Sequence, residues 1–163
     1  MGATNVSNFR TQIVDVTLTL DAATHAAGDI VADFQKFDVV GAARAQDIHI
    51  RGTINDVKVV DKDDQGIEMD VIFAQSLDTA APTLGTEGSA VSISDANAAK
   101  IIGVANISSY TDLINSQYGQ PSSFTPIGFN ISNSNYLYVG AVTRGTPTYT
   151  ASGVVLRLNI TVE

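Results

Sequence analysis

The densest run of side chains with chemical capability is Asp61-Lys62-Asp63-Asp64-Gln65-Gly66, followed closely by Glu68 and Asp70. Oxygens at Asp61, Asp63 and Gln65, with Gly66 in sixth place, reproduce the opening of a calcium loop. In such a loop alternate oxygens wrap the cation and the glycine makes the bend. The bidentate Glu needed at the twelfth position is replaced by Ile72, and strand-like sequence stands where the helices belong. An EF-hand is therefore excluded. Asp61, Asp63 and Gln65, joined by Asp64 or Asp70, form the one calcium candidate, set against the preferred reading of a charged, solvated turn. No metal or cofactor is assigned.

The same carboxylates are the material for general acid–base work. Glycoside hydrolysis needs two of them facing each other across a cleft. Asp63 with Asp64, and Glu68 with Asp70, lie instead in or beside a turn, with no apolar pocket indicated around them. No G-x-S-x-G elbow and no glycine-rich phosphate loop leading into a helix is present. The two histidines, His25 and His49, have no partner at ligand spacing, and His49, between Ile48 and Ile50, reads as a surface imidazole. The absence of cysteine removes disulfides and thiolate chemistry. No catalytic residue is assigned, and the chain reads as a non-enzyme. Tyr110, Tyr118, Tyr136, Tyr138 and Tyr149 gather in the C-terminal half. A sugar-stacking platform is one use for them; without tryptophan, burial in a core or interface is the better one.

The elements that must position these residues are strands. Val14, Val16, Leu18 and Leu20 alternate with polar neighbours, as do Val57 and Val59, then Ile67, Met69, Val71 and Phe73 around the acidic turn. The second pair of runs predicts a β-hairpin over 57–75. Further strands are expected over 29–40, 48–54, 125–131 and 136–143, the last two around the turn Ser132–Asn135. In the first of these Phe34 and Phe37 do not share a parity. The cleanest alternation is 154–162. Ser94 is placed as an N-cap for a short helix near 95–102, closed by Gly103. Residues 112–123 read as irregular. Residues 1–11 are polar apart from Phe9 and read as a flexible N-terminal arm, one that frays or lies on a neighbour. Residues 12–163 make a single domain. The fold class is all-β: an antiparallel β-sandwich, jelly-roll-like. The pattern does not give the order of pairing; pairing the first and last strands, both strong, would protect each other's edges.

The net charge of −8 is uneven: residues 1–81 carry thirteen Asp/Glu and six Lys/Arg, the remainder four and three. Such a chain is repelled by a phosphate backbone, so nucleic acid is not an expected partner. No apolar run reaches the roughly 20 residues that span a bilayer, and no signal peptide opens the sequence. Neither membrane binding nor classical secretion is expected.

Three passages carry a resemblance: VDVTLTLDAATHAAGDIVAD at 14–33; VKVVDKDDQGIEMDVIF at 57–73 with SAVSISDANAAKIIGVANIS at 89–108; and YLYVGAVTRGTPTYTASGVVLRLNI at 136–160. Together they cover just over half of the chain. They resemble small virion structural proteins of tailed bacteriophages, of the capsid decoration or cement kind. The shared text is strand and turn, not catalytic motif, and the chain departs from it at His25, where relatives carry an aromatic. The resemblance implies a non-enzymatic β-sandwich, a homotrimer, bound to the major capsid protein on the outer surface of the mature head and stabilising it. It implies synthesis in the host bacterial cytoplasm and residence in the virion, and it transfers no contact residue. The alternative is a calcium- or carbohydrate-binding β-sandwich module, including a head-fibre or tail adhesion component, motivated by Asp61–Gly66 and the tyrosines.

Overall fold

The computed structural model describes residues 10–39, 50–76, 81–131 and 136–162. Its strands are β1 (Arg10–Thr17), β2 (Ile30–Phe37), β3 (Ile50–Asp61), β4 (Met69–Ser76), β5 (Ile101–Asp112), β6 (Gln117–Pro121), β7 (Ile127–Ile131), β8 (Tyr136–Thr143) and β9 (Val154–Val162). One helical turn, α1 (Asp95–Ala98), precedes β5. The fold is all-β and antiparallel. One curled sheet runs β1-β9-β3-β6-β5-β4-β8-β2, with β7 on β3 beside β6.

Curling follows from burial. Strands from every part of the order send side chains into one core that holds Phe37, Val57, Val71, Phe73, Ile107, Phe129, Leu137, Leu156 and Leu158. A sheet whose concave face shares a single core brings its two halves face to face, as in a sandwich. Phe37 and Phe73 meet edge to face there, with centroids 6.4 Å apart. A side chain of the last strand in the order reaches the chain just beyond the first, at Thr19. Gln35 of β2 accepts from the Thr19 N–H at 2.9 Å and donates to the Thr19 carbonyl at 2.7 Å.

The two halves differ on their outer faces. On β4 every residue but Gln75 is buried, because the strand is covered on both sides. Its outward residues, Ile72 and Ala74, join Ile30, Phe34, Leu84, Tyr138 and Val142 in a second cluster. The cover is the segment 81–93, fastened to β2 by Asp33, whose carboxylate accepts from the Leu84 N–H and the Thr83 hydroxyl, each at 2.7 Å. The Ile30 N–H adds a bond to the Ser89 carbonyl at 2.9 Å. Phe34 and Phe37 can thus both be buried at opposite parity, each in its own cluster. Register shifts between Ile30 and Ala32 and between Ala32 and Gln35 help to accommodate them.

Several expectations hold. β1 pairs with β9 along its whole length, from Arg10 opposite Val162 to Thr17 opposite Val155, and β9 alternates inward apolar residues with Arg157 and Asn159. Ser94 caps α1, its hydroxyl accepting from the Asn97 N–H.

Others are corrected. The 57–75 stretch is not a hairpin: β3 pairs with β9, β6 and β7, while β4 pairs with β5 and β8. The seven residues from Lys62 to Glu68 exceed a tight turn, and they arch over the ends of β6 and β5 from one half of the sheet to the other. The described part of candidate 48–54, from Ile50 on, and the run at Val57 and Val59 belong to one strand, β3, with a register shift between Ile54 and Asp56. The helix stops at Ala98, short of the expected 102. Ile101 and Ile102 are β-branched and join β5, and Gly103 pairs with Phe73 instead of ending a helix. The supposedly irregular 112–123 contains β6, which pairs with β5 and β3. β7 and β8 do not pair with each other, and the turn 132–135 lies outside the described residues. Arg10 and Thr11, placed in the expected arm, belong to β1; residues 1–9 and His49 lie outside the described residues.

Candidate functional site

The acidic arch sits at one end of the curled sheet and is organised from within by Asp61. This residue closes β3, opposite Val154 and Gln117, with no exposed surface. Its Oδ1 accepts the Asp63 N–H at 3.0 Å, and its Oδ2 accepts the N–H groups of Gln65 at 2.9 Å and Gly66 at 2.8 Å. An aspartate at the head of a turn is suited to this, because its short side chain can reach amides two to five residues ahead. Asp64 and Gly66 take φ values of +56° and +58°, which aim those amides back at the carboxylate. Burial pushes the Asp61 carboxyl above its ordinary value, and the three N–H groups only partly oppose that.

The remaining arch residues are fastened outward. Asp63 accepts from the Thr150 N–H at 2.6 Å and from its hydroxyl at 3.0 Å. Asp64 accepts from the Gln117 side chain at 2.8 Å. The Gln65 amide donates to the Asp63 carbonyl at 2.9 Å and accepts from the Thr148 N–H at 3.2 Å. The three calcium candidates are therefore together in sequence and in space, yet their oxygens face amide, hydroxyl and side-chain donors. Among the described residues no cluster of three or more His, Asp or Glu side chains is arranged to hold a metal ion.

The carboxylate pairs are likewise engaged. Asn106 donates to Glu68 at 2.8 Å and to Asp70 at 3.0 Å, and Arg144 pairs with Asp70. Asp15 and Arg157 meet in a two-bond fork at 2.9 Å on the outer face of β1 and β9, which holds the Asp15 carboxyl below its ordinary value. Asp63, Asp64, Glu68 and Asp70 thus each hold a donor of the fold, instead of facing one another freely across a gap as sugar hydrolysis requires.

The tyrosines divide. Tyr138 and Tyr149 are buried and Tyr110, Tyr118 and Tyr136 half-buried. Lys36 stands over the Tyr136 ring at 4.1 Å. Beneath the arch, burial and the nearby Asp61 charge push the hydroxyls of Tyr110 and Tyr149 well above the usual phenol range. Both stay protonated, and neither has a hydrogen-bond partner among the described residues. A stacking face built from these five residues is not formed. His25 is buried, with Nε2 3.1 Å from the Asp21 carbonyl oxygen.

One feature at this end was not read from sequence. The β5–β6 hairpin closes through the Leu113 N–H on the Ser116 carbonyl at 2.9 Å and the Ile114 N–H on Asp112 at 2.7 Å. Its tip presents Leu113 at 54% exposure and Ile114 at 83%. Ile114 has φ +80°, a left-handed conformation that costs a β-branched residue about 1–3 kcal/mol. The signal was visible as an adjacent Leu-Ile within the polar 112–123 stretch. Compared with known protein families and with curated proteins, the chain matches none.

Proposed function

We propose that the chain is a non-enzymatic structural protein of a tailed-phage virion, a capsid decoration protein that assembles as a trimer on the outer surface of the mature head. The observation that carries the reading is how the polar side chains are used. Asp33, Asp61, Asp63, Asp64 and Asp70 each accept bonds that fasten a loop or a neighbouring strand. Among the described residues, the surfaces open to a partner include the outer face of β1 and β9, where Ile13 is exposed, and the apolar hairpin tip. A shell protein needs this economy of means, since many modest contacts repeated over a lattice bind by avidity. The resembling passages fall on β1–β2, β3–arch–β4, α1–β5 and β8–β9, so the likeness lies in the framework.

The test is co-sedimentation of the purified protein with expanded, undecorated heads of the phage that encodes it. Saturable binding at a fixed ratio to the major capsid protein is expected, together with heads that survive heat or low salt longer. Failure to bind those heads would refute the proposal. The module alternative is not favoured, because the arch oxygens already have donors and Tyr138 and Tyr149 lie in the interior.

A further inference from the structure

We infer that the Leu113–Ile114 tip is a docking knob that seats in an apolar pocket of the shell surface rimmed by lysine or arginine side chains. The inference deepens the decoration reading and rests on it for the identity of the partner. Two independent features point to a contact role. The tip displays the two adjacent aliphatic side chains Leu113 and Ile114, both exposed, while the exposed residues next to it on the paired strands, Thr111, Asp112 and Gln120, are polar. It also holds Ile114 at φ +80°, where glycine or asparagine would sit without strain. A turn selected for stability alone would carry neither feature. Strain kept at an exposed apolar position is the mark of a side chain retained for what it touches.

The surroundings set the partner's charge. Asp112 begins the tip. Asp64 is tied through Gln117 to the base of the same hairpin, and Glu68 is exposed further along the arch. The nearby cations are Lys62 on the arch, Arg144, which is paired with Asp70, and Lys58, which is paired with Asp56 and reaches Gln120 of β6. Lys62 alone therefore stands against Asp112, Asp64 and Glu68. An apolar knob in an acidic collar fits a pocket with a basic rim, and it is mismatched to an anionic lipid surface or to the acidic end of a second copy. Apolar centre and charged rim is the usual anatomy of a protein interface anchor.

The experiment compares wild type, Ile114→Gly and Leu113→Ser for binding to the expanded heads, with melting temperature and solution mass measured in parallel. Ile114→Gly removes the side chain and relieves the backbone, so it is expected to melt at or above the wild-type temperature while binding heads at least tenfold more weakly. Leu113→Ser is expected to fold normally and bind more weakly too. Wild-type binding should fall as salt is raised. If both variants bind as well as wild type, the knob is refuted while the decoration reading stands. If wild type itself does not bind, both fall. A tip variant that dissociates a wild-type oligomer and keeps its affinity for heads would place the knob between subunits and overturn the shell assignment.

Discussion

Replacing Asp61 by alanine tests whether the arch is built as described. The substitution removes the acceptor for three backbone N–H groups, on Asp63, Gln65 and Gly66. Hydrogen bonds to a charged acceptor contribute about 1.5–3 kcal/mol each. Two effects offset part of that sum. The carboxylate no longer bears the desolvation that raises its pKa, and the half-buried amides of residues 63, 65 and 66 can reach water once the arch relaxes. A net loss of about 2–4 kcal/mol is expected, which for a domain of this size lowers the melting temperature by about 5–15 °C. Asp61→Asn keeps one oxygen for Gln65 and Gly66 but turns an NH₂ toward the Asp63 N–H, so about half the loss is expected. Urea unfolding followed by circular dichroism measures both, with an unchanged m-value showing that only stability has moved. Two variants within about 0.5 kcal/mol of wild type, the range of ordinary surface changes, would refute the account of Asp61 as the organiser of the arch.

Three further outcomes are expected. The folded-state pKa of Asp61 is raised above its ordinary 3.8, so the folded protein binds the extra proton first. Wild type should therefore gain stability relative to Asp61→Asn as pH falls from neutral through the raised pKa to 3.8, as read from paired denaturation curves; a constant difference would contradict the shift. Asp15 acts in the opposite sense in both proteins, its contribution present above 3.8 and lost as pH falls through its lowered pKa, so it cancels in the comparison. In Gly52→Ala the new Cβ would lie 2.4 Å from the Thr161 carbonyl oxygen and 2.5 Å from the Phe129 ring. The backbone oxygen cannot swing aside, so a loss of about 1–3 kcal/mol is expected in the same assay; Gly128→Ala, which meets nothing within 4 Å, is the control. Asp33→Ala should free the 81–93 cover from β2, and hydrogen exchange should then accelerate at Leu84 and Ser92 well before the β3 and β9 amides change.

The sequence was most legible where a strand has one wet face. β9 and β1 show their alternation because Arg157, Asn159, Asp15 and Thr17 point away from the core. β5 was largely missed because only Ala105 and Ile107 are buried along its length; pairing with β4 and β6 holds it, and pairing leaves no hydropathy signature. β2 was noisy because a cover that is distant in sequence buries its second face. Alternation identified β3 and β4 as strands but carried no information about their partners, and an acidic turn with glycine suits an arch as well as a hairpin. The calcium-like spacing has a similar origin. Oxygens at alternate positions of a tight loop can face a cation or their own amides, and burial of Asp61 decides for the amides. Exposure of Leu113 and Ile114 could be known only once the hairpin around them was in view.

The place of β9 between β1 and β3 has a consequence for how the molecule comes into being. Among the described residues, only the pairings of β4 with β5 and β5 with β6 join strands that are neighbours along the chain. β1 and β3 both await Val154–Val162, which are synthesised after either of them. The closing pairings therefore form only once β9 has been made, and a high contact order makes them slow, on the millisecond-to-second scale of all-β domains. Until then two strands with apolar faces are held open to their counterparts on sibling chains, and the acidic surplus of the first 81 residues keeps those nascent chains apart.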